Sequence, residues 1–322
     1  MSVPRRDTRP YEADDPLLDL VGDTPLVRSP TNQNVLCKLE TENPTRSMKD
    51  RVAMGILVEA SSEYDFDTVV EASSGNTAGA VAFVANRLGL ECHVTCPETT
   101  SQQKIGYMKA FGATVHLCPS VDEEHSEHYH SVAKDLVDEH DAFFVNQYEN
   151  QANPEVHYRW TGPEIWQQAG ETMTHLVCAM GTGGTLSGAA RFIKERAQER
   201  DADVNIVGVD AENSNISAAF DGSEYGEYDT EVEGLGKGRE LPTMWFEYID
   251  EVRNVSDDRA FEQARSAAVD HGLLIGPSAG AALSVSHDIV AEEPDSTVVA
   301  VVCDGGEQYF QTLFGSDNRS DE

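Results

Sequence analysis

Short apolar runs alternate with amphipathic stretches along almost the whole chain. The apolar runs predict strands, and the stretches between them predict helices. Strands separated by single helices form right-handed βαβ units, so the pattern predicts an α/β fold with mainly parallel, twisted sheets flanked by helices. The predicted strands are 35–39, 68–70, 92–96, 114–118, 143–145, 175–179, 205–209, 251–255 and 297–303, and the predicted helices are 50–59, 77–87, 102–111, 126–139, 162–168, 185–195, 257–269 and 280–289.

The length of the chain, 322 residues, is enough for more than one hydrophobic core. At roughly 150 residues per domain, it predicts about two domains. No clear linker separates two halves of the sequence. We therefore expect either that one domain is inserted into the other or that the two share a long interface.

The charge balance is strongly acidic, with 23 Lys and Arg residues against 57 Asp and Glu residues and a net charge of −34. Such a chain would repel nucleic acid and anionic membranes, so neither is expected as a partner. Only seven of the basic residues are Lys. We interpret this balance as adaptation to a salt-rich cytoplasm, where salt screens the repulsion between carboxylates. The alternative is an ordinary acidic cytosolic protein.

The start of the chain lacks the apolar segment of a signal peptide, and no apolar run approaches the ~20 residues of a membrane span. The six cysteines lie mostly inside apolar runs, which is typical of reduced, buried thiols in a cytosolic protein. Cys92, His93 and Cys96 lack the second ligand pair of a zinc site. These observations predict a cytoplasmic protein with neither a metal nor a membrane partner.

Lys49 stands at the predicted start of a helix, where a cation is disfavoured by the helix dipole. A misplaced charge suggests that the amine works in its neutral form, as a Schiff-base lysine requires. The alternative is a surface lysine in a salt bridge.

Three further segments each follow a predicted strand or turn and open a helix. Ser73, Ser74, Asn76 and Thr77 can cap a helix, or can form a carboxylate-binding nest with the free backbone amides. The glycine-rich segment 181–185 is typical of a phosphate cradle, with a simple tight turn as the alternative. It is neither a Walker A loop nor a dinucleotide-binding fingerprint, since Leu186 stands where the latter needs Gly or Ala.

Ser278 lies between Gly276-Pro277 and Gly280, just before the last predicted helix. It could be a nucleophile, although no His lies in a matching motif. It could also be a helix N-cap, or it could bond a buried ring nitrogen.

Taken together, the four segments resemble the β-family, or fold type II, of pyridoxal-phosphate enzymes, whose fold is like that of tryptophan synthase β. The resemblance runs from Gly-Asp-Thr-Pro-Leu at 22–26 to Asp-Gly-Gly-Glu at 304–307, nearly the whole chain. Segments 146–154, 161–166 and 233–236 are similar to those of cysteine synthase and cystathionine β-synthase.

The resemblance implies a role for each matched position, with pyridoxal 5'-phosphate as the cofactor. Lys49 would hold the cofactor covalently and act as the catalytic base, Asn76 would bond its phenolic oxygen, and Ser278 would meet its pyridine nitrogen. Its phosphate would be held by Gly181, Thr182, Gly183, Gly184 and Thr185. The carboxylate of the amino-acid substrate would be bound by Ser73, Ser74, Gly75, Thr77 and Gln147.

The family also implies a domain arrangement, with a large domain from 1–40 and 148–322 and a smaller inserted domain, 41–147, that moves on substrate binding. The usual family state is a homodimer. The implied activity is a β-replacement that makes L-cysteine from O-acetylserine and sulfide through an enzyme-bound aminoacrylate.

Three alternatives remain open at this stage. The first is cystathionine β-synthase chemistry, in which serine or an activated serine reacts with homocysteine. The second is the use of O-phosphoserine, suggested by Arg46, which stands where the family usually has a small residue. The interpretation we favour for Arg46 is that it points outward. The third is a catalytically silent homologue that serves as a scaffold. The acidic, His-rich segment 122–130 is interpreted as a solvated helix start, with a metal-binding surface or a mobile flap as alternatives.

Overall fold

A computed structural model describes residues 10–11 and 14–315 of the chain. The expectation that the chain lacks a signal peptide depends on its first nine residues. These residues lie outside the described part, as do the last seven. The strands are Leu26–Arg28 (β1), Val35–Leu39 (β2), Thr68–Ala72 (β3), Glu91–Pro97 (β4), Thr114–Cys118 (β5), Phe143–Phe144 (β6), His175–Ala179 (β7), Asn205–Ala211 (β8), Glu251–Val255 (β9) and Val298–Val302 (β10).

The helices alternate with these strands through most of the chain. They are Lys49–Glu63 (α1), Asn76–Leu88 (α2), Gln102–Ala110 (α3), Tyr129–His140 (α4), Ala152–Val156 (α5), Gly162–Ala169 (α6), Gly184–Gln198 (α7), Ile216–Asp221 (α8), Asp257–His271 (α9), Pro277–Glu292 (α10) and Phe310–Phe314 (α11). A π-helical turn, His157–Thr161, joins α5 to α6.

The strands form two sheets. The larger has the order β1-β2-β10-β7-β8-β9, and the smaller has the order β5-β4-β3-β6. Every pairing is parallel except that of β1 with β2. The predicted fold class, α/β with mainly parallel sheets flanked by helices, is confirmed. β7 and β10 are buried at every position, as expected for central parallel strands that helices cover on both faces.

The sequence pattern failed mainly at short elements. β1 was not predicted because it is a three-residue edge strand with two exposed side chains. The helix predicted over 126–139 begins at Tyr129, since His128 is its N-cap and accepts a hydrogen bond from the amide of His130. The expectation of a solvated helix start in the His-rich segment is confirmed. Within the described residues, no group of three or more His, Cys, Asp or Glu side chains could hold a metal ion.

Each sheet has its own hydrophobic core. The core beside the smaller sheet contains residues of α1 and α2, and it also takes in Tyr11, Leu18 and Val21 from the start of the described chain and Trp160 from the π-helical turn. All six cysteines are buried free thiols, as predicted. None of the helices in the described part of the chain is both long enough and apolar enough to span a bilayer.

A fully buried ion network fixes the start of α1 to the larger sheet. The guanidinium of Arg51 contacts Glu40 at 2.6 Å and Glu164 at 2.7 Å, and Lys38 contacts Glu164 at 2.8 Å. Burial opposes the ionisation of Glu164, but Arg51 and Lys38 together lower its pKa to about 2. Removing one member would leave buried charges without partners, so the network holds α1 in one position. Lys49 lies two residues before Arg51 and is positioned with it.

Candidate active site

A cavity of about 260 Å³ lies at the ends of strands from both sheets. It is formed where the chain leaves β3, β7 and β10, together with the first turns of α1, α2 and α10. Ligand sites in parallel α/β structures typically lie beyond the carboxyl ends of the strands. Of the sequence-predicted site residues, the cavity is lined by Lys49, Ser73, Ser74, Gly75, Asn76, Thr77, Gln147, Gly181, Thr182 and Ser278.

Lys49 is the first residue of α1, and its side chain faces this cavity. Burial lowers the pKa of its amine, although Cys303, Cys178, Asp304 and Glu71 act in the opposite direction. No carboxylate of the described residues forms an ion pair with it. The structure therefore does not support the alternative of a surface lysine in a salt bridge. A lysine with a lowered pKa can supply the free amine that nucleophilic and general-base chemistry needs.

The segment 73–77 joins β3 to α2, and all five of its residues line the cavity. The N-cap of α2 is Gly75, and no side chain caps this helix. Thr77 Oγ1 donates a 2.7 Å hydrogen bond to Gln147 Oε1, which connects the loop to the segment after β6. Since side chains do not satisfy the first amides of α2, this helix end remains available to an anion, and the plain-capping alternative is not what the loop does.

The glycine-rich segment 181–185 connects β7 to α7. Gly183 has a φ of +78°, which favours glycine, and a Cβ at Gly181 would overlap the carbonyl oxygen of Gly234. Thr182 Oγ1 accepts hydrogen bonds from the side-chain amide of Asn153 and from the backbone amide of Gly184. The loop thus holds its backbone close to a ligand space at the start of a 15-residue helix.

Three predicted members of this loop, Gly183, Gly184 and Thr185, do not line the cavity. The hydroxyl of Thr185 lies instead 3.0 Å from Nε2 of His157. Burial keeps the pKa of His157 well below its usual value, so the ring is neutral. Its contact with Thr185 supports the loop on the side away from the cavity.

Asn76 lies on α2, beside the smaller sheet, and Ser278 lies on α10, beside the larger sheet. Both side chains line the cavity. The side-chain amide of Asn76 donates a 2.7 Å hydrogen bond to Asp304, which also accepts one from the hydroxyl of Tyr309. The other side-chain atom of Asn76, Oδ1, is buried and has no protein partner among the described residues. Ser278 is buried in the first turn of α10, directly after Pro277.

Several lining residues were not predicted as site residues. Glu233 and Asp304 belong to segments that had been matched to the family, and Tyr148 belongs to the segment 146–154, so a signal for these three was present. Lys237 and Cys303 carried no recognised pattern. The unpredicted lining residues are Ser47, Met48, Tyr129, Tyr148, Glu233, Gly234, Lys237, Cys303, Asp304 and Tyr309.

Arg46 lies outside the cavity, on the surface. Its guanidinium pairs with Glu42 at 3.4 Å and with Glu307 at 3.0 Å. Its φ of +66° is in the left-handed region, which gives a conformational reason why a small residue such as glycine suits this position. The geometry therefore favours the outward orientation, and Arg46 gives no support to the use of O-phosphoserine.

Comparison with known proteins assigns this chain to a family. A family described as "Pyridoxal-phosphate dependent enzyme" matches residues 17–304. The chain belongs to this family of pyridoxal-phosphate-dependent enzymes.

The similar proteins match along almost their full lengths. The chain is 37% identical to "Cysteine synthase" of Staphylococcus aureus (strain Mu50), with 94% of this chain and 98% of the relative covered. It is 34% identical to "Cysteine synthase B" of Escherichia coli (strain K12), with 93% and 96% covered. The crystal structure of O-ureido-L-serine synthase superposes with a TM-score of 0.85 at 29% identity, covering 96% of this chain and 98% of that one.

The cavity fits the family cofactor. It combines an amine of lowered pKa, a glycine loop at a helix start, a buried serine hydroxyl and an unpartnered amide oxygen on Asn76. These groups match an aldehyde, a phosphate and the polar edges of a pyridine ring. The chain is a pyridoxal-phosphate-dependent enzyme.

Proposed function

We propose that this enzyme makes L-cysteine from O-acetylserine and sulfide by β-replacement. The observation that carries the proposal is the position of Lys49, whose desolvated amine faces a cavity also lined by Ser73–Thr77 residues and Gly181. Two relatives above 30% identity are named cysteine synthases, which supports the same reaction.

Residues of this chain would hold the cofactor in the way that the family resemblance implies. Lys49 would bind its aldehyde carbon, Asn76 its phenolic oxygen, and Ser278 its ring nitrogen. The backbone of 181–185 would hold the phosphate, with Gly183, Gly184 and Thr185 contributing from the helix start rather than from the cavity wall. When bound, pyridoxal phosphate supplies an electron sink that makes the α-hydrogen of an amino acid acidic.

The loop 73–77 would hold the carboxylate of the amino-acid substrate. The free amides at the start of α2, that of Thr77 included, and the hydroxyls of Ser73 and Ser74 are suited to bind an anion, and Gly75 lets the backbone approach closely. Gln147 bonds Thr77 and would complete the set.

Lys49 would also move the proton in each half of the reaction. Its neutral amine would take the α-hydrogen as the β-carbon–oxygen bond breaks and acetate leaves with the bonding electron pair. Sulfide would then form the new carbon–sulfur bond, and Lys49 would return the proton to the α-carbon. Atoms balance, because O-acetylserine and hydrogen sulfide become cysteine and acetic acid.

The alternative functions differ from this one in the donor substrate or in the acceptor substrate, or they involve no catalysis. O-Ureido-L-serine synthase is the name of a solved structure at 29% identity, so an oxygen nucleophile is a second candidate. Homocysteine as acceptor is a further candidate. A silent scaffold fits poorly with an intact Lys49 in the cavity.

The larger-scale properties belong to the same proposal. The large domain would comprise 1–40 and 148–322, and the inserted domain 41–147 would close over bound substrate. We propose a homodimer that works in the cytoplasm. We also propose that the protein is adapted to high salt, and the net charge of −34 supports this adaptation.

The deciding experiment is a visible absorption spectrum of the holoenzyme, titrated separately with O-acetylserine, O-phosphoserine and serine. A yellow band that shifts with O-acetylserine alone, with cysteine formed when sulfide follows, is the expected result. A shift with serine or O-phosphoserine only would reassign the donor. The variant Lys49→Ala should lack both the band and turnover, whereas Lys109→Ala, on an exposed part of α3, should keep both.

A further inference from the structure

Glu71 is a fully buried carboxyl just before the loop 73–77. It lies in β3, whose five residues are all buried. No cation of the described residues forms an ion pair with it, and its Oε2 atom has no hydrogen-bond partner among them. The proposed reaction gives Glu71 no role. Because a buried polar group that is only partly satisfied is costly, its position calls for a functional explanation.

The carboxyl of Glu71 contacts the side-chain amide of Gln147. Gln147 Nε2 donates a 3.3 Å hydrogen bond to Glu71 Oε1, and Gln147 Oε1 accepts the 2.7 Å hydrogen bond from Thr77. These two bonds together fix the orientation of the amide group, because its nitrogen must face an acceptor and its oxygen a donor. Without Glu71, the Thr77 hydroxyl alone would hold the amide.

Gln147 keeps one donor for a ligand. An amide nitrogen carries two hydrogens, and the part of the chain that the structure describes accepts only one of them. Gln147 also lines the cavity that contains Lys49 (the Lys49 cavity). The second N–H is therefore available to a molecule in this cavity, and a carboxylate is a strong acceptor for it.

The turn that carries Gln147 lies against the same carboxyl. β6 pairs with β3, and the chain turns directly after it at Asn146, whose φ of +45° is in the left-handed region. The backbone amides of Asn146 and Gln147 interact with the Glu71 carboxyl. A non-glycine residue keeps such a conformation only where its surroundings hold it. Glu71 thus contributes to the position of Gln147 as well as to the orientation of its amide.

The carboxyl of Glu71 is mostly uncharged near pH 7. Burial raises its pKa to about 8, although the bond from Gln147, the backbone amides of 146–147 and the charge of Lys49 act in the opposite direction. A neutral carboxyl accepts the amide hydrogen without placing a negative charge behind Gln147.

The other titratable groups that interact with Glu71 carry no charge at this pH. They are Cys92 on β4, Tyr129 on α4 and Tyr148 after β6, and burial raises the pKa of each. The first three turns of α2 have no titratable side chain. Lys49 is therefore the one positive group, among the residues described, that would offset an ionised Glu71.

We propose that Glu71 is a positioning residue for the substrate carboxylate. Its uncharged carboxyl fixes the amide of Gln147, and the second N–H of that amide donates to the carboxylate. This inference rests on the proposed binding of an amino acid's carboxylate at 73–77, and it adds the residue that arranges this site from behind. Ionisation of Glu71 would place a negative charge near the bound carboxylate and weaken its binding.

The first test compares L-alanine with its neutral isostere L-alaninamide in calorimetric titrations of the holoenzyme near pH 7. Neither ligand has a leaving group on its β-carbon, so neither is turned over by β-replacement. The wild type should bind L-alanine more tightly. Glu71→Leu removes the acceptor and should lower the ratio of the two affinities about tenfold, as loss of one hydrogen bond to a charged group predicts. Glu71→Gln keeps an uncharged acceptor and should leave the ratio within about twofold.

Two controls separate the contact through Gln147 from other effects. Glu63→Gln removes a carboxylate from the exposed end of α1, outside the cavity, and should leave the ratio unchanged. In a Gln147→Ala background, which lacks the amide, Glu71→Leu should lower the ratio no further. The proposal is overturned if Glu71→Leu lowers the ratio equally with and without Gln147 or does not lower it, or if Glu71→Gln lowers it as much as Glu71→Leu.

The pH dependence tests the requirement for an uncharged carboxyl. As the pH rises from about 7 to about 9, Glu71 ionises in the wild type, whereas Glu71→Gln has no proton to lose there. The ratio for the wild type, divided by that for Glu71→Gln, should fall several-fold. Titrations of Lys49 and of the ligand occur with both proteins and cancel in this quotient. A quotient that is constant with pH overturns the requirement. This comparison stands even if Glu71→Leu fails to fold.

Steady-state kinetics connect the inference with the proposed reaction. With O-acetylserine and sulfide, Glu71→Leu should raise the KM for O-acetylserine about tenfold and change kcat less than about threefold, because the carboxylate contact is made in the ground state and the transition state alike. If the affinity ratios behave as expected but the wild type forms no cysteine, only the proposed reaction has failed. If cysteine forms and Glu71→Leu leaves KM and the ratio unchanged, the positioning role has failed.

Discussion

The side-chain amide of Asn76 donates a 2.7 Å hydrogen bond to Asp304 across 228 positions of sequence. This bond joins the start of α2, beside the smaller sheet, to the segment that follows β10 in the larger sheet. Both residues line the Lys49 cavity. The orientation of Asn76, which is proposed to contact the cofactor, is therefore set from the opposite sheet.

Replacing Asp304 should damage both stability and the cofactor site. Asp304→Ala removes the acceptor of Asn76 and of the Tyr309 hydroxyl, and each buried donor left without a partner costs roughly 1–3 kcal/mol. Tyr309→Phe removes only one donor and leaves Asp304 with Asn76, so it should cost less. Urea unfolding measures the first effect, and the affinity for pyridoxal phosphate measures the second. Equal losses in the two variants would show that the Asn76 contact contributes nothing.

Glu71 should make the folded protein less stable as the pH rises. Burial raises its pKa to about 8, against 4.5 in the unfolded chain. The folded state then holds a proton that the unfolded state has released, so this stabilising contribution is complete below the unfolded pKa and is lost as pH rises through the folded pKa.

The variant Glu71→Gln isolates this effect. The free energy of unfolding of the wild type, minus that of the variant, should fall by about 1.4 kcal/mol per pH unit between the two pKa values. Asp50, whose pKa is raised to about 7, is present in both proteins and cancels in the difference. Urea titrations at a series of pH values test this, and a difference that stays constant with pH would contradict it.

One substitution should have opposite effects in two helices. Gly188 lies inside α7, where a Cβ would overlap the carbonyl oxygen of Pro154 in α5. Gly106 lies inside α3, with nothing within 4 Å of the same position. Gly106→Ala should stabilise the protein by about 0.5–1 kcal/mol, because alanine restricts the unfolded chain and favours helix.

Gly188→Ala should destabilise by about 1–3 kcal/mol, because α5 and α7 must move apart to admit the methyl group. Because the glycine loop leads into α7, cofactor affinity should fall with it. Thermal unfolding of both variants, measured beside the wild type, shows whether each substitution stabilises or destabilises the protein. A stabilising Gly188→Ala would mean that the α5–α7 contact is looser than the structure describes.

Salt should stabilise this chain. With a net charge of −34, the carboxylates of the folded chain repel one another. Raising the ionic strength from about 0.01 M to about 1 M shortens the Debye length from ~30 Å to ~3 Å and screens this repulsion. Circular dichroism and urea midpoints across a KCl series should show a steady gain in stability. A neutral osmolyte at matched osmolality serves as the control for excluded-solute effects. A midpoint that is indifferent to KCl would exclude adaptation to high salt.

The local pattern of the sequence was sufficient to predict most long elements. β2, β5, β7 and β9 have the predicted bounds, and the long helices differ only near their ends. Periodicity is a property of neighbouring residues, so it needs no knowledge of the partner strand. Short elements such as β1 and α8 carry too few residues to show a period.

The candidate site was predicted one segment at a time, and the sequence did not reveal how the segments meet. Each loop that follows a strand and opens a helix is visible locally, as at 73–77 and 181–185. That Lys237 would line the same cavity as Lys49, and that Arg46 would pair with Glu307, depended on contacts between distant parts of the chain.

The sequence alone determined the kinds of secondary structure, their order and the residue types available for chemistry, because these follow from local patterns. Tertiary structure decided the strand order β1-β2-β10-β7-β8-β9, which places β10 beside β2. It also decided that the Lys49 amine is desolvated and that the pKa values of the Glu71 and Asp50 carboxyls are raised. Desolvation depends on every group packed around a side chain, and those groups come from all parts of the chain.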